Sequence, residues 1–473
     1  MWRDRMVGVD QSVPLLDGRW VPYVNLDNAA STPAFRAVAT TVERFLPHYS
    51  SVHRGTGYLS RLSTAAYEEA REVVGRFVGA DPARDVVLFG KNTTEVVNRL
   101  ARSVRMTPGS VVLTTMLEHH SNDLPWRART GTVRVRALPD GRLDEDDLDR
   151  QLATYADRIG LLVVSGASNV TGVIQPVHRL AAKVHAVGGQ ILVDAAQLAA
   201  HRRIDMRPHD DPGHLDYVAL SAHKLYAPFG TGALIGRRDG FTPAPDHSGG
   251  GTIYAVTVDD VVWAELPDRE EAGSPNVIGA VALAAAVQEL DSIGMDRIAA
   301  HEAQLTAYAT HLLRGVPRLT VHGPPISDAD VKVGVIPFTI DGIDHGLVAA
   351  VLGYEHGIGV RSGCFCAQPY IIHLLRVTKD HERRWMARAR EGDISGTPGM
   401  VRFSLGCYND ARDIDRAVEA LHRLVAGQVS GTYRALGDGT YAPQDYTEPS
   451  LFSLGRRAAV ATSPARVEMP SLA

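Results

Sequence analysis

The sequence predicts an α/β protein: a mostly parallel sheet covered by helices on both faces, followed by a smaller α+β domain. Two observations carry this. Short, continuously apolar runs alternate with segments of helical spacing up to about residue 237, and strands that read as apolar throughout belong to sheets buried on both faces. From about residue 295 the texture changes to fewer strands and longer helical stretches.

Taken in order, residues 1–35 are irregular and rich in turn formers, ending in Leu26-Asp27-Asn28-Ala29-Ala30-Ser31-Thr32-Pro33. Helical spacing with a serine cap signal covers 63–79. Strands are expected at 86–89, 111–114, 161–164, 190–193, 217–220 and 233–235, with helices from Thr93 or Thr94 to about Arg102 and over about 177–187. Beyond 295, helices are expected near 296–315, 345–354 and 411–425. A strand at 333–338 contains Pro337, which suggests an edge position. The stretch 378–398 is unusually charged and reads as a solvated helix plus loop interrupting the small domain. Residues 443–473 look loosely structured, with Pro and Ser and little periodicity. The expected division is an N-terminal arm over 1–35 that contributes to the small domain and the active site, a large cofactor-binding domain over 36–294, a small domain over 295–430, and a partly disordered extension over 431–473.

Bulk properties narrow the function. The 473 residues can bury a large core, and 45% hydrophobic with 22% charged residues is ordinary for a soluble globular protein. The net charge of −5 is well mixed in sign, without a basic stripe, so no nucleic-acid partner is expected. The longest apolar run, 278–287, falls short of a membrane span, and the N-terminus lacks an apolar signal core; the cytoplasm is the expected location. The cysteines Cys364, Cys366 and Cys407 make no disulfide framework. Cys364 and Cys366 are a weak zinc signal, and a reactive thiol is the better reading.

Several residue groups carry chemistry. Lys224 in Ser221-Ala222-His223-Lys224 lies between apolar strands and a Gly-rich stretch. A desolvated lysine there can act as an amine nucleophile toward an aldehyde cofactor. Asp194 follows a buried strand; it reads either as a helix N-cap or as a carboxylate paired with a protonated pyridine nitrogen. Gly90-Lys91-Asn92-Thr93-Thr94-Glu95 is either an ordinary helix cap or, with Ser221 and His223, a phosphate cradle. His119 and His120 have no third ligand at a familiar spacing, so no metal is expected, and a ring stacked on a planar cofactor is favoured. Arg361 and Arg402 are either structural ion pairs or anchors for a substrate carboxylate. Cys366, on a Gly-containing loop beside Arg361, is a candidate nucleophile, and Cys407 a small buried hydrophobe.

These motifs, together with Val52-His53-Arg54-Gly55, Ser168-Asn169-Val170-Thr171-Gly172 and Ala272-Gly273-Ser274-Pro275-Asn276, occur in an order that resembles the class V branch of fold-type I pyridoxal-phosphate enzymes. The resemblance is greatest to the group II cysteine desulfurases and selenocysteine lyases, and runs from about Leu26 to Leu424. It implies a seven-stranded-type sheet and pyridoxal 5'-phosphate as cofactor. Lys224 would form the Schiff base and, once freed, remove the α-proton. Asp194 would hold the ring nitrogen and Gln197 the ring-hydroxyl side. His119 would stack on the ring and serve in acid–base steps, with Asn169 near the ring substituents. Thr93, Thr94, Ser221 and His223 would bind phosphate. Ser274 would reach the phosphate of the other subunit, which implies a homodimer with shared active sites. Arg402 would bind the carboxylate of a small amino-acid substrate, with Asn28, His53 and Arg361 nearby.

The implied reaction takes L-cysteine or a cysteine derivative, releases alanine and keeps sulfur as a persulfide on Cys366 for an acceptor, which could be a protein. Departures are present. Where the family usually has two histidines before the cysteine, this chain has Cys364 and Phe365, a form that resembles the sulfurase domain of molybdenum-cofactor sulfurases. The insert 378–398 is longer than in simple desulfurases, and the tail after 430 is extra. They leave a second reading open: a C–S lyase, or another β-eliminating or tailoring enzyme of specialised metabolism, that uses no persulfide.

Overall fold

All six strands read from the sequence form, each one to three residues longer than its apolar run, and a seventh joins them at the edge. The computed structural model describes residues 2–128, 131–324, 331–444, 446–447 and 449–452. The seven-stranded sheet runs in the order Asp85–Gly90, Gly232–Arg237, Tyr217–Ser221, Gln190–Asp194, Ile159–Ser165, Val111–Thr115, Thr132–Val135. All neighbours pair in parallel except Gly232–Arg237, which is antiparallel to both of its partners. Residues 222–231 are too few for a helical crossover, so the chain turns back instead. The unforeseen strand, Thr132–Val135, is only partly buried and carries Arg134, which hides it among polar residues.

Side chains alternate between the two faces, as a pleated strand requires. Leu88, Val112, Leu161, Val163, Leu192 and Ala219 pack with Val96, Val97 and Leu100 of the helix Thr93–Ser103. Phe89, Leu113, Leu162, Val164, Ile191, Val193 and Leu220 pack on the other side with the helices Tyr58–Phe77, Val177–His185 and Val277–Ile293. Burial of each such side chain contributes about 1.5–3 kcal/mol. The apolar run 278–287 is thus the body of a core helix, capped by Asn276, whose Oδ1 accepts from Gly279 N–H. Among the described residues no single helix is long and apolar enough to cross a membrane.

Two expectations are corrected. The helix expected over 63–79 begins at Tyr58, and Gly57 rather than a serine occupies its N-cap. Ser63 lies inside it, where its Oγ donates to His48 O and accepts from Ser50 N–H. Pro337 is not on an edge. Its strand, Val335–Ile340, is interior to a four-stranded antiparallel sheet in the order Leu319–Val321, Val335–Ile340, Met400–Ser404, Arg361–Gly363. The sheet tolerates it because Pro337 O accepts from His322 N–H. Its nitrogen therefore points past the end of the three-residue outer strand, where a single ladder bond is lost.

A second core surrounds this sheet: Leu305, Leu313, Ile336, Phe338, Val348, Val351, Phe403, Ile414 and Leu421. Val24 and Leu26 join it, and Val24–Asn25 pairs in parallel with Ile358–Gly359. The charged insert is a helix, Lys379–Arg390, capped by Thr378. Trp385 is its buried residue, and its Nε1–H donates to Thr397 Oγ1. Residues beyond 430 are ordered where described: Tyr433–Ala435 and Tyr441–Pro443 form a hairpin against the helix His345–His356. Glu355 of that helix accepts from Gly431 N–H and Tyr433 Oη–H. The disorder expected in the tail falls mostly on 453–473, outside the described residues.

Candidate active site

The C-terminal ends of the parallel strands meet the second sheet around a cavity of about 630 Å³, where open α/β sheets place their ligands. Lys224 enters it from the 3-10 turn Ala222–Lys224, directly after the strand Tyr217–Ser221. The turn is held by Thr32, whose N–H and Oγ1–H both donate to His223 O, and by Ala222 N–H on Thr231 O. Lys224 is half-buried, and desolvation pushes its pKa down to about 8 against the opposing pull of Asp194. Asp194 closes the strand Gln190–Asp194, fully buried; burial raises its pKa, partly offset by Ala196 N–H on Oδ1.

The helix Thr93–Ser103 aims its N-terminus at the same cavity. Asn92 caps it through Oδ1 and Glu95 N–H, 3.0 Å apart. Thr93 N–H donates to Ser221 Oγ, and Thr94 Oγ1 lies 2.7 Å from Ser121 Oγ. The buried Thr93 Oγ1 has no hydrogen-bond partner among the described residues. Gly232 lets the next strand close on this turn, since a Cβ there would sit 2.7 Å from the Asn92 backbone. Burial holds the pKa of His223 down to about 4.

His119 caps the helix His120–Arg127, its Nδ1 accepting from Ser121 N–H at 3.0 Å. Burial, then Lys224, pull its pKa down to about 3. The ring is therefore neutral, with its proton on Nε2. Glu118 beside it is fully buried and accepts from Thr115, Asn122 and Ser165, yet burial still raises its pKa to about 7.

Gln197 donates from Nε2 to Ala29 O, and Asn169 from Nδ2 to Phe365 O at 2.6 Å. Asn169 thus secures the loop that carries Cys366. His120 adds two ties: its N–H donates to Cys366 O, and its Nε2 accepts from Gln368 N–H. Phe365 and Cys366 both have left-handed backbone, φ 51° and 54°, a costly conformation for residues with a Cβ. The Cys366 thiol is exposed, whereas Cys364 is half-buried and burial raises its pKa; Cys407 is buried.

Arg402 is buried in the middle of the strand Met400–Ser404. Its Nη1 donates to Asn169 O, its Nη2 meets Asp27 Oδ1 at 3.0 Å, and its Nε has no partner among the described residues. Burial pulls its pKa down to about 10. Arg361, half-exposed, meets the other oxygen, Asp27 Oδ2, at 2.9 Å. Asp27 therefore bridges the two arginines.

The cavity brings together Thr93, Thr94, His119, Asn169, Asp194, Gln197, Ser221, His223, Lys224, Arg361, Cys366 and Arg402. Three candidates stay outside it. Asn28 is buried behind the wall, donating to Ser404 O and Asn409 Oδ1 and accepting from Tyr408 Oη–H. His53 is exposed, with φ 68° and its ring against Tyr67. Ser274 is on an exposed loop away from its own chain's cavity. Conversely, the roles of Asp27, Glu118 and Phe365 were not foreseen, although all three sit within or beside quoted motifs. The loop 394–397 and the hairpin tip with Leu436, Asp438 and Tyr441 also line the mouth; in the sequence they read only as insert and tail.

Fold and cavity define an α/β enzyme built around a desolvated lysine with a depressed pKa. Residues 24–417 match the Aminotransferase class-V family model. A cysteine desulfurase of Haloferax volcanii is 35% identical over 430 residues, covering 88% of this chain and 93% of that protein. A probable cysteine desulfurase of Streptomyces coelicolor is 34% identical over 422 residues, covering 86% and 93%. Among solved structures, the apo cysteine desulfurase of Thermococcus onnurineus superposes with a TM-score of 0.75 at 30% identity, covering 89% of this chain and 99% of that one. The cysteine desulfurase CsdA of Escherichia coli, in an S-sulfonic acid form, gives 0.73 at 26% identity, covering 91% and 98%. The chain belongs to the aminotransferase class-V family. Enzymes of this family depend on pyridoxal phosphate. The residues present fit that group: a buried threonine hydroxyl at a helix N-terminus, unpartnered among the described residues, suits its phosphate, and a buried carboxylate on the same cavity as a desolvated lysine suits its ring.

Proposed function

We propose that this enzyme is a pyridoxal-phosphate-dependent cysteine desulfurase that removes sulfur from L-cysteine or a cysteine derivative, releases alanine and holds the sulfur as a persulfide on Cys366. The observation that carries this reading is the thiol of Cys366 on the same cavity as Lys224 and the unpartnered Nε of Arg402. Net, one sulfur atom moves: cysteine and the Cys366 thiol become alanine and the Cys366 persulfide, with no outside oxidant.

Thr93, Thr94, Ser221 and His223 would hold the cofactor phosphate, Asp194 would serve the ring nitrogen, and Gln197 and Asn169 would bind around the ring. The cofactor supplies an electron sink for the carbon beside the substrate amine. Arg402 orients the substrate carboxylate through its bidentate fork, and Arg361 adds positive charge beside it. Lys224, with a depressed pKa, takes the α-proton at Nζ. The neutral His119 donates from Nε2–H. The Cys366 thiolate attacks the substrate sulfur; a sulfur–sulfur bond forms as the carbon–sulfur bond breaks. A thiol acceptor, small or protein-borne, then removes the outer sulfur and restores the Cys366 thiol. A homodimer in which Ser274 reaches the partner subunit's phosphate accounts for a loop serine left away from its own cavity. Three free cysteines suit the reducing cytoplasm.

A cavity of about 630 Å³, roomier than free cysteine requires, favours one alternative, a C–S lyase acting on larger cysteine conjugates without a persulfide. Incubating the loaded enzyme with cysteine and mapping its peptides by mass spectrometry separates the two. Desulfuration predicts one added sulfur on Cys366 and no alanine from Cys366→Ala, with cofactor binding retained. Full turnover by Cys366→Ala would establish the lyase instead.

A further inference from the structure

Asp85, His209 and His214 lie together at the sheet edge opposite the cavity. Asp85 opens the strand Asp85–Gly90, and His214 precedes the strand Tyr217–Ser221. Those two strands run in the same direction and deliver Asn92 and Lys224 at their far ends, so the cluster sits a full strand length from the catalytic lysine.

The cluster is buried: the side chains of Asp85 and His209 are 2% and 3% exposed and His214 is 2% exposed. His209 Nε2 lies 2.9 Å from Asp85 Oδ1. His214 Nδ1 lies 2.7 Å from Arg207 O and must donate to that carbonyl, which leaves Nε2 as a bare lone pair. That Nε2 is buried without a partner among the described residues. One ligand atom from each of the three residues falls within 4.8 Å of the others.

A buried nitrogen lone pair beside a carboxylate and a second imidazole is expensive unless something fills it. The geometry points to a structural site for a divalent transition metal, zinc above all, held by Asp85, His209 and His214 with a water as fourth ligand. Imidazole and carboxylate ligands suit zinc, with bonds of about 2.0–2.2 Å, so the three atoms must draw together by roughly 1 Å. The supports of a metal site are present: Arg207 O fixes the His214 tautomer, and Asp81 N–H holds Asp85 Oδ2 at 2.8 Å. His209 needs only to move its proton from Nε2 to Nδ1, so binding releases no net proton. Arg84 and Asp239 act on His209 from either side with opposite charge. Zinc here would staple the edge strand to the 205–216 segment without entering the chemistry at Lys224.

The test uses pyridoxal-phosphate-loaded enzyme carrying Cys364→Ser and Cys366→Ser, which removes the other thiol ligands near the surface. We expect one zinc per chain after gel filtration, and a tetrahedral visible spectrum on titration with Co(II). We also expect a rise in melting temperature with zinc that His214→Gln and Asp85→Asn abolish. With native cysteines, His214→Gln should form alanine at the wild-type rate. The proposal is overturned if Co(II) gives no tetrahedral bands, or if His214→Gln retains zinc as well as its parent does. The Co(II) spectrum of the parent decides even if a variant fails to fold.

Discussion

Phe365 lies against the guanidinium of Arg402, with 4.9 Å between Arg402 Cζ and the ring centre. The aromatic face shields a buried cation whose carboxylate partner, Asp27, is shared with Arg361. A desolvated cation–π contact contributes about 1–2 kcal/mol. Phe365→Ala should therefore raise KM for cysteine about 5–30-fold, the same energy expressed as binding. Phe365→Tyr should stay near wild type. Steady-state kinetics with cysteine checks both, and an unchanged KM in the alanine variant would remove the ring from substrate anchoring.

Lys224 should make cofactor loading depend on pH. With a pKa of about 8, roughly a tenth of Lys224 is unprotonated at pH 7, against fewer than about one in a thousand for an ordinary lysine. The free amine is the reactive form, so loading of apoenzyme should accelerate as pH climbs toward 8 and level off above about 9. Stopped-flow absorbance after mixing with pyridoxal phosphate reads the midpoint; a midpoint near 10 would contradict the burial argument.

Glu118 should tilt stability against pH. Its folded pKa of about 7 lies above the ordinary 4.5, so the folded state binds the proton more tightly. Its contribution is fully present below pH 4.5 and lost as pH rises through 7, by at most about 3 kcal/mol. Glu118→Gln should flatten that slope. Urea melts of apoenzyme at pH 5, 6 and 7 measure it, and parallel slopes in the two proteins would refute the assignment.

Leu436 should govern access to the mouth. Leu436→Trp narrows the passage at an exposed tip, so persulfide formation from cysteine should stay within about twofold of wild type. Sulfur transfer to dithiothreitol should slow several-fold. Single-turnover alanine release and sulfide release report the two steps separately; equal slowing of both would place Leu436 outside the acceptor path.

The strands of the large sheet were legible because each is apolar throughout and bounded by turn residues. That Lys224, Asp194 and Thr93 meet at one cavity was legible because all three sit at or just past strand ends, a position visible in sequence. Other features depend on partners far along the chain. Pro337 reads as an edge residue until the outer strand is seen to stop at Val321. Asp27 reads as a turn former until Arg361 and Arg402, over 300 residues away, close on its two oxygens. Asn28 reads as a site residue, but Tyr408 and Asn409 use up its amide. The hairpin at 433–443 has strands of three residues, too short for periodicity to reveal.

Residues 24–32 join the two halves of the molecule. Val24–Asn25 is laced to Ile358–Gly359, Asp27 grips both arginines, and Thr32 carries the peptide beside Lys224 through His223 O. Fewer than ten residues thus connect Arg402, the proposed anchor for the substrate carboxylate, to the turn that bears Lys224. One short stretch of main chain therefore sets the spacing between Arg402 and the lysine turn, so that a change anywhere in 24–32 alters both ends of the cavity together.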